Sequence, residues 1–249
     1  MIQLIKKMNM LYDAALSLVY PQACEVCNAA SVEARSDVPA CAPCWQKTRV
    51  FTGDETLCWK CGALAPGEVS AEHRESVRCR RCEAESFTAA RAVGVYEMAL
   101  RATVLKLKHE PHVGRRVARL LHEAQRRAPL DRSTRIIPTP LHEKRERERG
   151  FNQAAVLGHT LAALSGLPID EQSLVRVTGT EHRRAGMDSR GRRESVKDAF
   201  EVRRQMLIEG ECVLLIDDVF TTGATASACA KALRAAGAQE VVVLTVARA

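Results

Sequence analysis

Val213-Leu214-Leu215-Ile216-Asp217-Asp218-Val219-Phe220-Thr221-Thr222-Gly223-Ala224-Thr225 decides the fold. Four apolar residues precede two carboxylates, and two more lead into a turn of hydroxyls and glycine. A short, partly β-branched apolar run bounded by polar residues is the pattern of a buried parallel strand. Beyond the turn, Cys229, Ala232, Leu233 and Ala236 recur at helical spacing, and Gly237 stands where a helix ends. Val241 to Val246 reads as a second strand. The unit is strand, tight loop, helix, strand.

The loop suits a phosphate. Residues 221–225 stand at a helix N-terminus, where unpaired N–H groups and the helix dipole favour an anion. Gly223 and Ala224 let backbone approach a ligand closely. Asp217 and Asp218 stand at the carboxyl end of the strand, the usual ligand position in open α/β sheets. Carboxylates do not bind phosphate, but they suit sugar hydroxyls or a hydrated magnesium ion. Amides for a 5-phosphate beside carboxylates for a ribose diol describe a ribose-phosphate site. The bland alternative is a strand-turn-helix whose Asp pair only caps. No Gly-Lys-Ser/Thr follows, so the loop is not a Walker A motif, and it is not a GxGxxG fingerprint.

The stretch Asp217 to Thr225 resembles the phosphoribosyl-pyrophosphate (PRPP) motif of type I phosphoribosyltransferases. The resemblance implies that Asp217, Asp218, Thr221, Thr222, Gly223, Ala224 and Thr225 bind PRPP. It also gives Asp217 and Asp218 the catalytic positions beside the ribose, with magnesium bridging to pyrophosphate.

The chain has 249 residues, 46% of them apolar and only 4% aromatic, with a net charge of +7. That is enough for one aliphatic α/β core and a smaller appendage. The positive balance suits a nucleic acid, nucleotide or phosphate, or simply an arginine-rich surface. No run reaches the ~18 apolar residues of a membrane span. A secretory signal is lacking, so a cytoplasmic location is expected, where cysteine clusters mean metal more often than disulfides.

Eight of the ten cysteines form four Cys-x2-Cys pairs: Cys24/Cys27, Cys41/Cys44, Cys58/Cys61 and Cys79/Cys82, separated by gaps of 13, 13 and 17 residues. Each pair can supply two thiolates from one knuckle, and two knuckles close a tetrahedral, structural four-thiolate site. Two metals are expected. Zinc is preferred over iron–sulfur, which spacing does not exclude. Similar gaps read as a tandem repeat and favour sequential over cross-braced pairing. His73, inside the last gap, reads as a loop residue rather than a ligand.

Residues 1–20 read as an amphipathic helix that packs on the chain itself or, with Lys6 and Lys7, docks on a membrane surface. Residues 21–85 read as the cysteine module and 86–249 as the α/β domain. Within the latter, a strand is expected over 88–96, helices over 98–108 and 113–127, and a strand over 167–177. Arg135 to His142 reads as a short strand that ends in a proline-rigid turn. An Arg/Glu run then reaches Gly150-Phe151-Asn152-Gln153, where a helix begins. The run reads as a solvated turn of helix or as part of a ligand site.

Pro138 to His142, Lys144-Arg145 and Arg149-Gly150-Phe151-Asn152-Gln153 resemble the ComF family of phosphoribosyltransferase-like proteins, which carry an N-terminal double zinc ribbon. The resemblance covers Cys24 to Ala249 and implies a type I phosphoribosyltransferase fold, a mostly parallel sheet flanked by helices, behind that ribbon. It also implies a link to natural competence. The Pro138–His142 turn and Arg145 or Arg149 become candidates for pyrophosphate contacts. Residues 178–197, with Arg183, Arg184, Arg190, Arg192 and Arg193, occupy the place of the mobile loop that covers the site. Arg184 to Asp188 and Ser195 depart from the family's pattern there. Two functions follow: transfer of phosphoribosyl with release of pyrophosphate, or a non-catalytic PRPP- or nucleotide-binding module that supports single-stranded DNA handling with a helicase partner. Trp45 and Trp59 are the main stacking candidates for DNA, though small ribbons use such residues as core.

Overall fold

The structure, a computed structural model, describes residues 22–32, 37–177 and 199–249. The amphipathic stretch at 2–20 and the basic loop at 178–197 lie outside the described residues. Among the described residues no helix is long and apolar enough to cross a membrane.

Four parallel strands form the main sheet: β1 (Ala89–Val95), β2 (Arg135–Pro138), β5 (Cys212–Phe220) and β6 (Glu240–Arg248), in the order β1-β6-β5-β2. Cys212 pairs with Glu240 at one end of β5 and Phe220 with Arg248 at the other. β2 extends the sheet on the far side of β5, with Ile136 opposite Leu214. The central strands are apolar on both faces, as parallel strands covered on both sides must be. Leu214, Ile216, Val242 and Leu244 join one buried cluster; Val213, Leu215, Val241 and Val243 join another.

Helices cover those faces. On the first lie α2 (Met98–Leu107), α3 (Arg115–Gln125) and α5 (Gln153–Ser165), which bury Leu100, Leu121 and Leu157. On the second lies α6 (Ala224–Ala235), which buries Cys229 and Leu233. α5 therefore leaves β2 toward one face and α6 leaves β5 toward the other. Adjacent strands whose connections part in this way open a crevice at their carboxyl ends.

A strand over 167–177 is a correction. Only Leu174–Arg176 (β3) pairs, antiparallel to Phe200–Val202 (β4). The chain turns because Asp170 accepts hydrogen bonds from the N–H groups of Gln172 and Ser173 at 2.9 and 3.0 Å, and from the Ser173 hydroxyl. Upstream, Ile169 makes a single bridge to Ile136.

The cysteine segments contain a short helix α1 (Ala42–Gln46) and otherwise turns and 3-10 pieces. They lie along β1, the edge strand. Phe51 donates to the Val93 carbonyl, Val95 to that of Arg49, and Ala90 to that of Lys60. At the crossing, a Cβ on Gly94 would stand 2.2 Å from the Arg49 carbonyl oxygen, so only glycine fits.

Candidate functional site

Two knuckles meet in each metal cluster, in sequence order. Cys24, Cys27, Cys41 and Cys44 form one group and Cys58, Cys61, Cys79 and Cys82 the other, with all ligand atoms of a group within 4.8 Å of one another. Tetrahedral zinc with bonds of about 2.3 Å places its sulfurs about 3.8 Å apart. The sulfurs here are separated by 4.0 Å (Cys27–Cys41), 3.5 Å (Cys58–Cys82) and 3.6 Å (Cys61–Cys79), so the donor sets fit that ion. Burial pushes the Cys44 thiol up to about 12 and raises Cys82 as well. Burial also works against Cys24 and Cys58, but backbone N–H donors, among them those of Cys41 and Cys79, hold both down to about 6. His73 is not in the cluster; its Nδ1 lies 2.9 Å from the Ser70 hydroxyl on an exposed turn. Trp45 is core, 2% exposed, with its indole N–H on the Asp37 carbonyl. Trp59 is half-buried under the Arg91 guanidinium, 4.8 Å from the ring centre.

The crevice between β2 and β5 holds a pocket of about 470 Å³. Asp217, Asp218, Thr221, Thr222, Gly223, Ala224 and Thr225 line it from β5 and α6; Arg145 and Arg149 line it from the other wall. Asp217 and Asp218 are half-buried, and the Asp217 carboxylate accepts the Asp218 N–H at 2.8 Å. Gly223 is the N-cap of α6 at φ +79° with no side-chain cap bond, which leaves that helix end facing the pocket. A Cβ on Gly223 would stand 2.8 Å from Phe220 Cζ.

The opposite wall follows from the turn after β2. Thr139 donates its N–H to the Ile216 carbonyl at 2.9 Å and so stays in register with β5. The Arg/Glu run is helix α4 (Glu143–Arg149), started by His142, whose Nδ1 accepts the Lys144 N–H. Arg145 and Arg149 are four apart and share the face toward the pocket, while Arg147 pairs outward with Glu143 at 3.5 Å. Asn152 caps α5 by accepting the Ala154 N–H at 2.9 Å, and its amide donates to the Thr139 carbonyl at 3.1 Å. That side chain ties the turn to the helix.

Sequence reasoning missed several pocket residues. Lys108, at the end of α2, and Arg176, on β3, add two cations to Arg145 and Arg149. Tyr96 and Phe220 add aromatic walls. Nothing local marks Lys108 or Arg176, because each is brought in by the packing of its element. Thr139 and Gln153, in the turn and the helix start that the sequence does mark as ligand positions, also line the pocket and are 5% and 3% exposed. Thr139 Oγ1 and Gln153 Nε2 have no hydrogen-bond partner among the described residues. Buried polar atoms are paired as a rule, so these two closed-off atoms beside the pocket are exceptions.

The chain is similar to several known proteins. The double zinc ribbon domain matches residues 15–83. The chain is 32% identical over 198 residues to the DNA utilization protein YhgH of Salmonella typhimurium, covering 76% of this chain and 82% of that protein. It is 30% identical over 218 residues to competence protein F of Haemophilus influenzae, covering 84% and 90%. Competence protein ComFC of Bacillus subtilis is 28% identical over 201 residues, covering 80% and 79%. Among solved structures, it is similar to a glutamine PRPP amidotransferase from B. subtilis complexed with ADP and GMP, at 16% identity and a TM-score of 0.35, covering 59% of this chain and 26% of that one. An adenine phosphoribosyltransferase from Leishmania tarentolae matches at 21% identity and a TM-score of 0.34, covering 59% and 58%.

Proposed function

The chain belongs to the ComF family of phosphoribosyltransferase-like proteins, and we propose that its pocket binds PRPP with magnesium in the service of DNA uptake or utilisation. The convergence of two carboxylates, the N-terminus of α6 and the side chains of Arg145 and Arg149 in one crevice carries this reading. The loop 221–225 holds the 5-phosphate through backbone N–H groups and threonine hydroxyls. Asp217 and Asp218 hold the ribose hydroxyls. Thr139, Gln153, Arg145 and Arg149 face them across the pocket and suit pyrophosphate. Magnesium, when bound beside the Asp pair, neutralises pyrophosphate charge.

Transfer breaks the bond from ribose C1 to the pyrophosphate oxygen, and the bonding electrons leave with pyrophosphate. A nucleophile's lone pair forms the new bond to C1. The carboxylates sit where positive charge develops on the ring, and the cations where negative charge leaves. Such catalysis is positioning and electrostatics, with no covalent intermediate on the protein.

Calorimetric titration with PRPP and magnesium tests binding. We expect saturable binding that weakens at least about tenfold when Asp217→Asn and Asp218→Asn are combined. No binding to the wild type overturns the proposal. Pyrophosphate release then separates two readings. Release with an acceptor makes the chain a transferase; binding without release favours a PRPP- or nucleotide-sensing module that supports single-stranded DNA handling with a helicase. The relatives named for competence and DNA utilization motivate that second role.

A further inference from the structure

The two ribbons pack differently. Cys24, Cys41 and Cys44 share a buried cluster with α2 and α3. Cys58, Cys61 and Cys82 share theirs with Phe220, Ala224 and Ala226, the residues that shape the ligand loop. We propose that the metal of the Cys58–Cys82 ribbon is energetically coupled to the loop at 221–226, with Arg248 as the positioning residue that joins them.

Arg248 ends β6. Its Nη1 donates to the Cys61 carbonyl, and its Nη2 stands 3.8 Å from the Cys61 sulfur. The same guanidinium lies over the Phe220 ring, 4.7 Å from its centre. The Phe220 ring in turn occupies the space a Cβ would need on Gly223, the N-cap of α6. A second path runs beside the first. Phe87, five residues beyond Cys82, meets Phe220 edge to face at 5.7 Å. Ser86 donates its N–H to the Ser227 hydroxyl in the first turn of α6 at 2.9 Å. The ribbon and the residues that directly follow it thus reach the ligand loop by two paths. A ribbon with so little apolar mass keeps its shape through its metal. Loss of that metal frees Cys61, and with it the anchor of Arg248 and Phe220. Coupling is reciprocal, so a ligand that orders the loop also retains the metal. Only this ligand half rests on the PRPP reading.

Hydrogen exchange on the ligand-free, zinc-loaded full chain tests the coupling without any ligand. Amides of 221–226 are expected to exchange about fivefold faster or more in Arg248→Met, and in Cys79→Ser, but not in Cys27→Ser, which opens the other ribbon. Arg248→Lys keeps the charge without the forked contact and falls between. Unchanged exchange in Arg248→Met with its zinc retained overturns the proposal, as does equal acceleration by Cys27→Ser. Should the cysteine variants not fold, Arg248→Met and Arg248→Lys decide alone. In a second measurement, PRPP slows one of two phases of zinc release to a chromogenic chelator in the wild type but not in Arg248→Met. Absence of PRPP binding sinks the proposed function and leaves the exchange result to decide the coupling.

Discussion

Gln153 combines an apparent cost to the fold with a place in the lining of the pocket. Its Nε2 is buried without a partner among the described residues. An unpaired buried donor costs about 1–3 kcal/mol. Gln153→Leu is therefore expected to leave the urea midpoint unchanged or raise it, while PRPP affinity falls about tenfold by calorimetry. Loss of both stability and affinity would contradict that division. Gly223 behaves oppositely, because its φ of +79° and the Phe220 ring leave no place for a Cβ. Gly223→Ala is expected to lose about 1–3 kcal/mol in urea unfolding and PRPP binding with it. Asp217 to Thr225 were legible in the sequence because strand, carboxylates and loop are contiguous. Lys108 and Arg176 were not, since one ends a helix and the other sits on a strand, each far from the loop in the chain.

At the scale of elements, periodicity found α2, α3 and α6 to within a few residues because each buries a regular face, and short apolar runs found β1 and β5, which are covered on both faces. It failed over 167–177, where apolar residues flank a turn that hydrogen bonds to Asp170 impose. Burial works against ionisation of Asp170, but the Ser173 hydroxyl and the N–H groups of Gln172 and Ser173 hold its carboxyl below the usual range. A carboxyl depressed in the folded state stabilises above its unfolded pKa of about 4 and loses that contribution as pH falls through the native value. Asp170→Asn is expected to cost about 1–3 kcal/mol at pH 7 and progressively less below about pH 4, measured by urea unfolding. A deficit that persists undiminished to pH 2 would assign the effect to packing instead.

For the whole molecule, the cysteine spacing revealed two ribbons but not where they dock. Docking depends on contacts such as Arg49 to Val95 and Lys60 to Ala90, which no gap length encodes. Elemental analysis is expected to find two zinc per chain, and a chelator that removes both should lower the unfolding temperature markedly. One or none would contradict the paired clusters. The seam along β1 has a further consequence, for synthesis. An open strand edge is a template for aggregation. β1 has two edges, and the chain supplies their partners at very different times. The inner partner, β6, spans residues 240–248 and is made last. The ribbons are made before β1 itself and cover the outer edge. On the ribosome, a ribbon that has already taken up its metal would shield half of the nascent strand while the remaining residues are translated, so metal supply during translation, and not only afterwards, would set the yield of folded protein.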